Sequence, residues 1–113
     1  MSGNPAGRFK DRVVLVTGAV RHTGLAIAGA FAREGAVVAL NGRKPEDVAR
    51  EAAQLRARCG GEVIEAVADI SQPEQVDALF ADLRARRGRL DVLVNNAVNQ
   101  GIGYSLEATP RDL

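Results

Sequence analysis

Four consecutive β-branched or aliphatic residues, Val13-Val14-Leu15-Val16, run directly into Thr17-Gly18-Ala19-Val20-Arg21-His22-Thr23-Gly24. That junction constrains the fold more than any other stretch of the chain. The apolar run is too short for a helix and has no polar face, which is the pattern of a strand buried on both sides in a parallel sheet. After the glycines the apolar spacing becomes helical, from Ile27 to Phe31 and from Leu25 to Ala28 to Ala32. A strand that turns on glycine into a helix is the setting of a phosphate-binding fingerprint. Glycine allows a tight turn and close approach of the backbone, and the unpaired N–H groups that open a helix offer partial positive charge to a pyrophosphate. Gly18 and Gly24, six residues apart, mean little alone. Between a strand and a helix they point to a nucleotide.

The same alternation continues down the chain. Gly35 stops the first helix, and Ala36 to Leu40 reads as a second buried strand. Lys44-Pro45-Glu46-Asp47 opens another helix, with Pro in the first turn and acids at the positive end of the dipole. Val48, Ala52, Leu55 and Cys59 fall on one face of it, and Gly60-Gly61 ends it. Cys59 is read as a small residue in or near the core rather than as a reactive thiol. Glu62 to Ala68 makes a third strand. Ser71-x-x-Glu74 has the form of a capping box before a third helix, whose stripe is Val76, Leu79, Phe80 and Leu83. Leu90 to Val94 is a fourth strand that closes on Asn95-Asn96. This alternation predicts an α/β fold: a parallel sheet with helices on both faces and strand order 3-2-1-4, the first half of a doubly wound domain.

The glycine turn has the spacing Thr-Gly-x-x-x-His-x-Gly, and here the chain resembles the short-chain dehydrogenases/reductases. Their fingerprint is Thr-Gly-x-x-x-Gly-x-Gly between the first strand and the first helix. Gly18 and Gly24 match its outer glycines, and His22 stands where the middle one belongs. A side chain therefore occupies the place where the backbone of relatives comes nearest the cofactor, as a bulky basic residue does in some branches of the family. The resemblance covers residues 9–113 and implies a Rossmann-type cofactor domain. Residues 1–8, rich in small and polar types, read as a flexible tail.

In a dinucleotide fold the tip of the second strand meets the adenosine ribose, where an acid indicates NAD and an Arg suits NADP. Here the tip is Asn41-Gly42-Arg43-Lys44, with no acid, and Arg21 can reach the same phosphate from the glycine turn. Arg outnumbers Lys 13 to 2, so either Arg alone says little and the pair carries the reading. The resemblance agrees, because family members similar at both positions generally use NADP. NADP is the expected cofactor, ahead of NAD. Asp69-Ile70 follows the third strand where the family places an acid that accepts from the adenine amino group; a turn Asp ahead of Ser71 is the other reading. Asn95-Asn96-Ala97-Val98 resembles the family's Asn-Asn-Ala-Gly, which braces the sheet and lines the ribose, with Val98 replacing the glycine. Strand-end turn chemistry is the alternative there. The expected cofactor-binding set is Gly18, Arg21, His22, Thr23, Gly24, Asn41, Arg43, Asp69, Ile70, Asn95 and Ala97. His22 either contacts phosphate or stands in solvent.

No catalytic residue is expected within the chain. The family's acid/base is the Tyr of a Tyr-x-x-x-Lys pair, whereas Tyr104 is followed four residues on by Ala108. His22 is the sole histidine, so no His-based metal cluster or catalytic triad can form, and no metal is expected. A net charge of +1 predicts no strong attraction to nucleic acid or membrane. Arg84, Arg86, Arg87 and Arg89 read as the cationic end of a helix. A single cysteine, with no apolar run of membrane-spanning length and no signal-peptide core, implies a cytoplasmic chain. Thr109-Pro110-Arg111-Asp112 has the form of a helix start, so the chain reads as a fragment. The resemblance thus implies an NAD(P)-dependent oxidoreductase that passes hydride between NADPH and a small-molecule carbonyl or alcohol substrate, a homo-oligomer at full length. These residues would be its cofactor-binding segment, inactive by themselves. The alternative is a non-enzymatic nucleotide-binding or regulatory module on the same half-fold.

Overall fold

The computed structural model describes residues 7–96. Its elements are β1 (Val13–Val16), α1 (His22–Arg33), β2 (Val37–Gly42), α2 (Pro45–Cys59), β3 (Val63–Val67), α3 (Pro73–Arg87) and β4 (Val92–Val94). Most of the expected tail lies outside the described residues. So do Ala97, Val98, Tyr104 and the stretch Thr109-Pro110-Arg111-Asp112.

All strand pairings are parallel, and the order across the sheet is β3-β2-β1-β4, as the alternation of strand and helix predicts. Val16 lies opposite Leu40 on one side and Val94 on the other, which puts the ends of β1, β2 and β4 at one edge of the sheet. Strand period two divides the core into two layers. Val14, Val16, Val38 and Leu40 face Ala28 and Ala32 of α1 and Ala52 and Leu55 of α2. Val13, Leu15, Val37 and Ala39 face Leu79 and Leu83 of α3. Leu15 and Leu40 are completely buried, each contributing about 1.5–3 kcal/mol by transfer from water. Cys59 is half-buried against the first layer, consistent with a packing role.

Boundaries differ from the expected ones where pairing decides them. β2 runs on to Gly42 rather than stopping at Leu40, because Asn41 and Gly42 pair with Ala66 and Val67. β4 is shorter than Leu90 to Val94: only Val92 to Val94 pair with β1, while Leu90 packs on the second layer from outside the strand. The expected capping box at α3 does not form. Gln72 is the N-cap, without a side-chain cap bond, and Ser71 instead bonds the Asp69 carboxylate. The α3 stripe is narrower than expected, since the sheet covers Leu79 and Leu83 but leaves Phe80 exposed.

The start of β1 is held by one carboxylate. The Val13 N–H donates to Asp91 Oδ2 at 2.8 Å, Arg89 donates to both carboxylate oxygens, and Arg12 lies at 3.7 Å. The Arg89 and Val13 hydrogen bonds hold the Asp91 carboxyl below the ordinary aspartate value of 3.8. A group whose folded value is depressed stabilises the fold as the carboxylate. Its contribution is complete above 3.8 and is lost as pH falls through the folded value. Asp91→Asn should therefore lower the melting temperature at pH 7, and the gap from the unmodified chain should narrow below about pH 4. Thermal melts across that range check it; a gap independent of pH removes the carboxylate's charge as the cause.

Candidate dinucleotide site

Thr17 follows β1 as the first residue of the turn, its N–H donating to the Val94 carbonyl at 3.0 Å. Its buried hydroxyl faces the Val94 carbonyl and Asn95 Oδ1, and it accepts from the Asn96 N–H at 2.9 Å. The chain then reverses at Gly18, whose φ of 56° lies in the left-handed region. Both polar groups of Gly18 are pinned. Its N–H donates to Asn41 Oδ1 at 3.1 Å, and its carbonyl accepts from Asn96 Nδ2 at 3.1 Å. Ala19 adds a bond from its N–H to the Asn41 carbonyl at 2.8 Å. Thus β2 and β4 grip the turn from opposite sides.

Gly24 is required by packing. A Cβ there would collide with the Gly18 carbonyl and come within 2.6 Å of Asn96 Nδ2 and 3.0 Å of the Ala19 Cα. Gly42 is required in the same way, since a Cβ would lie 2.7 Å from Val20 Cγ1 and 2.9 Å from Val48 Cγ2. The tip of β2 therefore has no room for a side chain at Gly42, and Arg43 is the first residue that can project from it.

α1 begins at His22, and its N-cap Arg21 makes no side-chain cap bond. The first N–H groups of a helix have no partner within it. With Gly18 and Ala19 committed to Asn41, the amides that can face an anion are those opening α1, around His22, Thr23 and Gly24. His22 has a φ of 54°, a conformation that glycine adopts without strain and a histidine does not. That is the physical reason a glycine suits this position of the turn. Arg21, His22, Thr23 and Arg43 are exposed. Neither Arg21 nor Arg43 forms an ion pair or side-chain hydrogen bond among the described residues.

Asp69 Oδ1 accepts from the Ser71 hydroxyl at 2.7 Å and the Ser71 N–H at 3.0 Å, the turn arrangement, with Ile70 half-buried beside it. Those Ser71 bonds hold the carboxyl below its ordinary value, with a smaller contribution from the nearby Arg43 charge. Among the described residues, Asp69 Oδ2 accepts no hydrogen bond. Asn41 differs from its expected place. It is 2% exposed, and its Nδ2 donates to the Ala66 and Ala68 carbonyls, so the side chain ties β2 to β3 and to the turn instead of reaching outward. Asn95 presents Oδ1 to Thr17, while Ala97 lies outside the described residues. Sequence reasoning did not single out Thr17, Asn96 or Gly42. The Asn-Asn pair and the strand-end glycine were visible, but the atoms they meet lie 6 to 79 positions away in the chain, or behind another side chain.

The fold and its glycine turn place the chain among the Rossmann-type α/β proteins. The family model for short chain dehydrogenase matches residues 12–112. The chain belongs to the short-chain dehydrogenase/reductase family. It is 39% identical over 107 residues to a 3beta-hydroxysteroid dehydrogenase of Mediterraneibacter gnavus and 42% identical over 106 residues to a glucose 1-dehydrogenase of Gluconobacter oxydans. Each alignment takes in 94% of this chain but only 38% of the relative, so the chain spans well under half of their length. Among solved structures, L-sorbose reductase from Gluconobacter frateurii complexed with NADPH and L-sorbose superposes with a TM-score of 0.80 at 35% identity, over 95% of this chain and 40% of that one. Menthone neomenthol reductase from Mentha piperita superposes at 0.75 with 30% identity, over 80% of this chain and 33% of that one.

Two substitutions test the turn. Gly24→Ala should destabilise the chain by about 1–3 kcal/mol in urea denaturation, because the Gly18 peptide it strikes cannot move without breaking its bonds to Asn41 and Asn96. His22→Gly removes a left-handed non-glycine residue, worth about 1–3 kcal/mol, and adds unfolded-state freedom worth about 0.5–1 kcal/mol. Stability should stay level or rise by about 1–2 kcal/mol. A clear loss would mean that the imidazole itself supports the turn.

Proposed function

We propose that the chain is the NADP-binding part of an oxidoreductase that transfers hydride between the cofactor and a carbonyl or alcohol group of a small molecule. The observation that carries this reading is the pair of exposed guanidinium groups, Arg21 in the glycine turn and Arg43 just past the tip of β2, neither of them in an ion pair among the described residues. The bound cofactor supplies the hydride acceptor or donor. The chain's own residues bind and orient it. The amides opening α1 hold the pyrophosphate, and Arg21 and Arg43 clamp the 2′-phosphate with charge-assisted bonds. Gly42 leaves no space for an acid between Asn41 and Arg43, which favours a phosphate over a free ribose hydroxyl. Asp69 stays ionised and offers Oδ2 to the adenine amino group. The NADPH held by the Gluconobacter frateurii reductase supports the choice of cofactor.

Tyr104 lacks a lysine four residues on, so acid/base chemistry on the substrate falls to residues outside these 113. This chain alone is expected to bind cofactor without turning over substrate. The family's oligomeric habit and a reducing cytoplasmic setting, in keeping with the lone Cys59, complete the reading.

Arg43→Asp tests the clamp. It should weaken NADPH binding about tenfold to a hundredfold, matching the ~1.5–3 kcal/mol of a charge-assisted bond, while NADH binding changes little. Fluorescence titration with both reduced cofactors decides it. Equal losses for the two would remove the clamp.

A further inference from the structure

We infer that Asn41 is a positioning residue that sets the geometry of the pyrophosphate-facing turn from the adenosine end of the site. This rests on the cofactor reading above. Asn41 stands at the tip of β2, two residues before Arg43, yet it is 2% exposed and cannot touch a cofactor. Its side chain makes three bonds: Nδ2 to the Ala66 carbonyl at 2.8 Å and the Ala68 carbonyl at 3.2 Å, and Oδ1 from the Gly18 N–H at 3.1 Å. Its backbone carbonyl takes the Ala19 N–H at 2.8 Å. One residue thus joins the end of β3, which leads to Asp69, to both amides at the start of the glycine turn. By occupying those two amides it leaves the N–H groups that open α1 as the ones facing a phosphate.

The pattern of donors and acceptors makes the role specific. Both hydrogens of the amide are used on carbonyls, and its oxygen on an N–H, so an isosteric carboxylate cannot replace it. Asn41→Asp keeps the acceptor for Gly18 but sets a negative oxygen against the Ala66 and Ala68 carbonyls. Protonating that carboxyl restores one donor.

The test is made on the whole chain with two readouts. Amide hydrogen exchange should show Gly18 and Ala19 exchanging at least about tenfold faster in Asn41→Asp, with Leu15 and Leu40 still protected. NADPH binding should weaken about tenfold at pH 8, and the gap from the unmodified chain should close toward acid pH. The ratio of NADPH to NADH affinity is read on the uncharged variant Asn41→Thr and should not change there, because Asn41 does not meet the 2′-phosphate and Thr brings no acid to the tip of β2. Asn41→Thr, neutral and smaller, should show the same exchange and binding losses without recovery in acid, and it replaces the Asp variant if that one does not fold. Unchanged exchange at Gly18 and Ala19 would overturn the positioning role, as would an altered cofactor ratio in Asn41→Thr. If the unmodified chain binds neither dinucleotide, the cofactor reading fails, and the exchange rates still decide whether Asn41 sets the turn.

Discussion

The Gly18 peptide is held by two asparagines from opposite sides, Asn41 on its N–H and Asn96 on its carbonyl, and the site is built outward from that grip. Backbone groups removed from water must be paired, and a turn that leaves the sheet has no ladder to pair them. The strands on either side of β1 supply the partners through side chains. With Gly18 fixed, Gly24 must pass against its carbonyl without a Cβ, which sets how closely α1 approaches the end of β1. Strand order is a precondition: only with β2 and β4 flanking β1 do Asn41 and Asn96 reach the same peptide.

Polar satisfaction separates the bonded part of the candidate site from its open part. Thr17 and Asn41 are the buried polar residues among those described, and both lie at this turn with bonded side chains. A few residues on, the N-cap Arg21 leaves the opening amides of α1 uncapped. The arginines are partly paired at the surface. Arg86 pairs with Asp82, Arg87 with Glu62 and Arg89 with Asp91, ordinary surface pairs worth little each, while Arg84 has no ion pair among the described residues. Among the described residues Arg21 and Arg43 form no ion pair, as is true also of Arg33, Arg58 and Arg84; what sets the two apart is their place, in the glycine turn and just past the tip of β2.

The two sheet faces are unequal. α1 and α2 bring small residues, Ala28, Ala32 and Ala52, close against β1 and β2, while α3 covers its face chiefly through Leu79 and Leu83. Beyond them, Phe80 on α3 and Leu93 on β4 are exposed, the latter by 50%. Helical periodicity alone suggested a wider stripe. How much of a stripe is covered depends on the width of sheet beneath it, and that is a tertiary quantity.

The sequence by itself determined the element order, the parallel sheet with order 3-2-1-4, the glycine turn between β1 and α1 and the basic character of the β2 tip. These are local signals: short apolar runs, glycines and prolines at element ends, and the absence of an acid after Leu40. Tertiary structure decided the rest, because it turned on contacts between distant parts of the chain. It drew Asn41 inward, since β3 placed two carbonyls where only an amide could satisfy them. It gave Ser71 to Asp69 instead of to the cap of α3. It also made Gly42 obligatory by setting Val20 and Val48 against it, a requirement that no spacing along the chain expresses.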